Sequence, residues 1–153
     1  MGGASHGTLR DWRERWIADA PVVPIVFYRG VGNTQHAFFV ESFVDELANA
    51  TKQDPYQFRQ KLLAKEPRML AVLNLAAQKA NWGKSLPSGH FRGIAFHNSF
   101  ESPFADVIEI SVRGGRRVTI HKVTRAMDCG IVINPDQVNA QFQSGVVFGL
   151  TMA

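Results

Sequence analysis

The sequence predicts an α+β chain in which a helical segment is followed by a β-hairpin or small sheet and then by a closing helix. Three observations carry that expectation. Apolar residues recur at spacings of three and four between about residues 35 and 82. Past the Pro/Gly/Ser-containing stretch 84–91 (KSLPSGHF) the pattern becomes alternation, with Val107, Glu109 and Ser111 set against Ile108, Ile110 and Val112. A helix-start signature, Asn134-Pro135-Asp136-Gln137, then opens the last segment. With 153 residues, 45% of them hydrophobic and 20% charged, the chain has single-domain size and globular composition, which excludes a disordered or collagen-like polymer.

In chain order, residues 1–21 form a polar segment in which Thr8–Ala18 offers a short helix, with Leu9, Trp12 and Trp16 on one side. Pro21 and Pro24 precede a short apolar strand, Ile25–Tyr28. The turn Arg29-Gly30-Val31-Gly32-Asn33 leads into a helix over Gln35–Asn49, capped by Asn33 or Thr34, with Ala37, Val40, Phe43 or Val44, Leu47 and Ala48 directed inward. Asp54-Pro55 opens a second helix, with Gln57 completing a capping-box pattern, and this helix ends before Pro67. The third helix, Arg68–Trp82, turns Leu70, Leu73, Ala76, Ala77 and Ala80 inward and stops at Gly83, a left-handed C-cap. Strands follow at Gly93–His97, Phe104–Val112 and Arg117–Met127, with Gly114-Gly115 turning the hairpin between the last two. The expected organisation is a strand-turn-helix unit over 22–84, a linker at 85–91 and a strand-hairpin-helix unit over 92–153. The final helix has no stop signal before Ala153, so the chain reads as cut inside an element.

The net charge is +4, with an isoelectric point near 9.6. Basic residues are spread along the chain, which argues against a nucleic-acid partner. The exception is Arg113, Arg116, Arg117, His121, Lys122 and Arg125, a run without an acid that suits either a solvated hairpin or an anionic partner. No apolar run reaches the roughly 18 residues of a membrane span, and residues 1–20 lack the apolar region of a signal peptide, so the compartment stays open. The single Cys129 has no internal disulfide partner and reads as a small filler, while Asp128 beside it reads as the holder of a turn.

No HExxH, Walker or GxSxG motif is present, and the five histidines never fall at metal-binding spacing on one helix face, which excludes the common zinc and serine hydrolases. No metal-ligating set and no catalytic residue stand out. The turn Arg29–Asn33 combines glycines that admit close backbone approach with a planar cationic fork, which suits an anion, although a tight turn with a surface arginine reads the same way. In the last helix, Gln141 shares a face with Val138, Phe142, Gly145 and Gly149, so its amide suits a heterocycle edge or a backbone partner. Each interior glycine there costs about 1 kcal/mol relative to alanine and implies something packed closely against it. Glu41 suits either a buried acid bracing the glycine turn or a surface position.

Four stretches together, FYRGVGNTQHAFFVESFVDELA, DPYQFRQKLL, NWGKSLPSGHFRGIAFHNSF and AMDCGIVINPDQVNAQFQSGVVFGL, resemble the molybdenum hydroxylases. Within the xanthine dehydrogenase and aldehyde oxidase superfamily, the likeness is to the large subunit of the isoquinoline 1-oxidoreductase and aldehyde dehydrogenase type, from about residue 22 onward. The resemblance implies part of the α/β lobes that clasp molybdopterin, often as its cytosine dinucleotide. It further implies hydroxylation of an aldehyde or N-heterocycle with oxygen from water, and electrons leaving through 2Fe-2S clusters on a small partner subunit. By matching position it implies cofactor contacts from Tyr28, Arg29, Gly30 and Gln141. Val31 stands where the purine-oxidising branch has a phenylalanine, which argues against purine-type ring recognition. The family's glutamate base is expected beyond Ala153, so the chain is expected to be inactive alone and to expose apolar faces, including around Phe142 and Val146. The alternative is a non-catalytic interaction domain that uses the basic hairpin for an acidic partner.

Overall fold

The computed structural model describes residues 28–153, which fall into two units divided between Val31 and Gly32. The helix expected at Thr8–Ala18 lies outside the described residues, as does the strand expected at Ile25–Tyr28 apart from its last residue. In the second unit, α1 (Gly32–Ala50), α2 (Pro55–Leu62) and α3 (Pro67–Lys79) precede β1 (His90–Ser99), β2 (Ser102–Arg113) and β3 (Arg117–Met127), and α4 (Pro135–Met152) closes the series. This is an α+β arrangement with one antiparallel sheet in the order β1-β2-β3.

Helix ends follow local chemistry and move several expected boundaries. α1 starts at Gly32, so Asn33 and Thr34 lie inside its first turn rather than capping it, and the Asn33 amide oxygen pairs with His97 Nε2 at 3.2 Å. α2 begins as expected, with the Asp54 carboxylate accepting from the backbone of Tyr56 and Gln57 at 3.0 Å each. It stops at Leu62, well short of Pro67, and turns bonded from Ala64 to Lys61 and from Glu66 to Leu63 replace its last turn. A residue before proline is pushed out of helical geometry, and Glu66 shows this with ψ 76°. α3 ends at Lys79, with Ala80 as its C-cap, rather than at Trp82. Asn81, at φ 54°, takes the left-handed position expected of Gly83, and Trp82 and Asn81 donate back to Ala77 and Gln78 at 2.9 and 3.1 Å.

β1 and β2 are longer than expected because their pairing continues from His90↔Ser111 to Ser99↔Ser102, so the end of the expected linker is strand. The two strands meet at a two-residue turn, Phe100-Glu101, with both residues at positive φ. At Gly114-Gly115 the same handedness comes without a Cβ penalty. A register shift at Glu109/Ile110 leaves His121 as the extra residue on β3.

The core lies between α3 and one face of the sheet. Val72, Leu73, Ala76, Ala77 and Ala80 pack on Ile94, Ala105, Val107 and Ala126, and the small alanines let the helix sit close to the strands. Leu70, expected inside, is half-buried. On α1 the buried side carries Val44 and Ala48 together with Glu41, whereas Val40, Phe43 and Leu47 face outward. Arg59 accounts for this choice. It is 2% exposed on α2 and needs the Glu41 and Asp45 carboxylates, which lie on the Val44 side. Exposed apolar surface therefore gathers on α1 at Phe38, Phe39, Val40 and Phe43, and at Ile131 and Ile133 before α4. Phe142 and Val146, where it was expected, are half-buried.

Candidate functional site

The glycine turn is closed by the Val31 amide donating to the Tyr28 carbonyl at 2.9 Å. Gly30 and Val31 have φ of 83° and 49°. For a β-branched residue the left-handed region costs about 1–2 kcal/mol, and such strain collects where backbone is held for a purpose. Tyr28 and Arg29 are exposed and Gly30 is half-buried. These three candidate contacts thus share one turn of the first unit, while Gln141 lies exposed on α4 of the second.

α4 is set up by Asn134, whose side chain accepts from the backbone of Asp136 and Gln137 at 3.1 and 3.2 Å, with proline at the first helical position. The loop before it is tied down from α3. Arg68 donates to the Asp128 carboxylate at 2.7 Å, to the Asp128 carbonyl at 3.1 Å and to the Glu101 carbonyl at 3.0 Å, clamping the strained Phe100-Glu101 turn to the end of β3. Asp128 does hold a turn: its other oxygen accepts from the Gly130 amide at 2.9 Å. The Arg68 hydrogen bond, helped by that amide, pulls the Asp128 carboxyl down to about 2. Cys129 beside it is half-buried.

On the other face of the sheet, Arg125 holds Asp106 through two hydrogen bonds of 2.6 and 2.5 Å and donates to the Phe142 carbonyl at 3.3 Å. The closely packed partner expected beside the α4 glycines is, at Gly145, this guanidinium. A Cβ added there would lie 3.0 Å from Nη1, whereas one added at Gly149 would meet nothing within 4 Å. Gly149 instead borders an apolar cleft of about 450 Å³, lined also by Phe38, Phe39 and Met152, with Thr34 and Gln35 at its polar edge.

The basic run of the hairpin is divided by the fold. Arg125 turns inward, and Lys122 reaches the last-turn carbonyl of α3 at Lys79 at 3.4 Å, which leaves Arg113, Arg116 and Arg117 exposed around the tip. His121 stacks on His90 at 4.3 Å and pairs with Ser111 at 2.8 Å. Glu109, bonded to Arg92 at 3.1 Å, is thereby held below the usual carboxylate range. Burial lowers the His97 imidazole, opposed by Glu41.

Glu41 lies between its two readings, with 14% of its side chain exposed, and braces Arg59 at 2.8 Å and the Phe96 amide of β1 at 2.7 Å rather than the glycine turn. The sequence reading missed Arg59. Its signal was present in Glu41 and Asp45, two acids one helical turn apart on a face expected to be apolar, which call for a cation. Among the described residues no cluster of three or more His, Cys, Asp or Glu side chains is suited to a metal. The turn carries a guanidinium on a strained, glycine-bearing backbone, a chemistry compatible with an anionic group.

Residues 20–63, which include this turn, α1 and α2, match the molybdopterin cofactor-binding domain. Over most of its length the chain is similar to segments of larger oxidoreductase subunits. It is 32% identical over 135 residues to the beta chain of isoquinoline 1-oxidoreductase from Brevundimonas diminuta, covering 86% of this chain and 17% of that protein. It is 35% identical over 133 residues to a membrane-bound aldehyde dehydrogenase of Gluconacetobacter polyoxogenes, named for pyrroloquinoline-quinone, covering 74% and 17%. A nicotinate dehydrogenase subunit from Pseudomonas putida is 29% identical over 145 residues, covering 83% and 12%. The chain thus spans less than a fifth of the length of these relatives. No solved structure gives a significant match. No described helix is long and apolar enough to cross a membrane.

Proposed function

We propose that the chain forms part of the cofactor wall in the catalytic subunit of an enzyme that hydroxylates aldehydes or N-heterocycles with oxygen from water. The observation that carries this reading is the cofactor-binding match over residues 20–63, which contains the strained Tyr28–Val31 turn. In this reading Tyr28, Arg29 and Gly30 hold molybdopterin, as its cytosine dinucleotide, and Gln141 hydrogen-bonds to it from α4. Arg29 supplies charge and a fixed fork for an anionic or oxo group, and Gly30 permits close backbone approach. The Gln141 amide, both donor and acceptor, orients a heterocycle without changing its charge. When bound, the cofactor supplies a metal centre that activates water and accepts the electrons. Those electrons leave through a small 2Fe-2S partner subunit, and the general base belongs to a part of the large subunit outside this chain. The chain then forms two parts of the molybdopterin region, 22–84 and 92–153, after a polar segment at 1–21.

The test is to purify the polypeptide that carries this chain from a host that makes the cofactor, then measure molybdenum by elemental analysis and CMP released by acid. Near-stoichiometric amounts of both, falling several-fold in Arg29→Ala, are expected. Loading with pyrroloquinoline-quinone and no molybdenum, or turnover by the isolated 153 residues, refutes the reading. The interaction-domain alternative is weakened by Arg125 and Lys122, which are engaged within the fold.

A further inference from the structure

None of the residues of α4 is buried, and a hollow of about 160 Å³ separates its inner side from Ile108 and Val123 of the sheet. A helix above a hollow forfeits dispersion contacts on that side, so apolar packing alone does not fix its height or rotation. Arg125 reaches across. Its Nε and Nη2 donate to the two oxygens of Asp106 at 2.6 and 2.5 Å, which sets the plane of the guanidinium. The fork sits between the Phe104 and Phe142 rings, 5.1 and 5.6 Å from their centroids. Its remaining nitrogen, Nη1, donates to the Phe142 carbonyl at 3.3 Å and lies in the recess left by Gly145. The carbonyl gripped belongs to the residue next to Gln141.

We propose that Arg125, oriented by Asp106, is a positioning residue that fixes α4 on the sheet and, resting on the function proposed above, fixes how Gln141 is presented to the cofactor. Both partners are largely buried, with 15% and 18% of their side chains exposed. Replacing such a pair with apolar residues of similar size is often neutral for stability, so its distinctive contribution here is directional. Lysine would keep the charge and lose the fork.

The test compares the whole chain as wild type, R125K and the paired variant R125M/D106L by amide hydrogen exchange. Exchange across residues 135–152 is expected to rise at least about tenfold in both variants, while the strands stay protected and the paired variant keeps its thermal midpoint. Unchanged exchange in α4 overturns the proposal, and so does an equal loss of protection throughout the sheet. A second arm uses the cofactor-loaded enzyme that contains this chain. There the paired variant should lose kcat to the level of Q141A with KM near wild type, and wild-type kcat alongside a loosened α4 overturns the link to Gln141. If Q141A itself turns over normally, the assignment of Gln141 fails separately, and the exchange arm still decides whether Arg125 sets the helix.

Discussion

Replacing Arg59 with leucine tests how the helical layer is held together. Arg59 donates to Glu41 at 2.8 Å, to Asp45 at 2.7 Å and to the carbonyls of Pro55 and Glu41 at 3.2 Å each, from a position only 2% exposed. Glu41 is 14% exposed and also accepts the Phe96 amide, so loss of the cation strands a buried carboxylate between α1, α2 and β1. Breaking a buried pair by removing one partner costs about 3–5 kcal/mol, a large part of the roughly 5–15 kcal/mol that holds a domain folded. Asp45, half exposed, should cost less than about 1 kcal/mol when changed to asparagine. Arg59→Leu with Glu41→Leu removes both charges and leaves chiefly the Phe96 amide without its acceptor, about 1–3 kcal/mol. The double variant should therefore be more stable than Arg59→Leu alone. Urea unfolding in a double-mutant cycle reads this directly, with a midpoint shift of about 2 M for the single variant at a typical slope near 2 kcal/mol/M. A single-variant cost below about 1 kcal/mol, or strict additivity of the two changes, would refute the reasoning.

Two further outcomes follow from the geometry of α4 and of the loop that feeds it. Gly149→Ala meets nothing within 4 Å and should gain up to about 1 kcal/mol of helix propensity, whereas Gly145→Ala must displace the pinned Arg125 Nη1 at 3.0 Å and should be less stable than wild type; thermal melts giving both variants the same sign contradict this. Because the folded Asp128 carboxyl sits at about 2, below its ordinary value, the Arg68 clamp should contribute fully above about pH 4 and fade as the pH falls toward 2. Asp128→Asn should flatten that acid limb of the stability profile, and an unchanged limb in acid titration followed by circular dichroism would show that the clamp is not coupled to folding.

Much of the fold follows from local chemistry. Asp54-Pro55 and Asn134-Pro135 start α2 and α4 where their caps and prolines require, Gly114-Gly115 turns β2 into β3, and Leu73, Ala76, Ala77 and Ala80 form the inner stripe of α3. The resemblance to molybdenum hydroxylases, carried by motifs from the glycine turn to α4, agrees with the domain match at residues 20–63. The expectations that failed concerned residues whose partners are distant in the chain. Which stripe of α1 turns inward depends on Arg59, 18 positions from Glu41, and periodicity alone cannot choose between two apolar stripes on one helix.

The starts of α2 and α4, the hairpin and the alternating strands were legible from the residues alone, because capping and turn chemistry act over a few positions, while the class of cofactor came from the resemblance of the longer motifs. The packed fold was needed to show that Glu41 meets a buried arginine, that Arg125 leaves the basic run to grip Asp106 beneath α4, and that Asn81 rather than Gly83 ends α3. A long charged side chain takes the partner that tertiary packing places within reach, because in a buried, low-dielectric setting a charge left unpaired costs far more than a paired one.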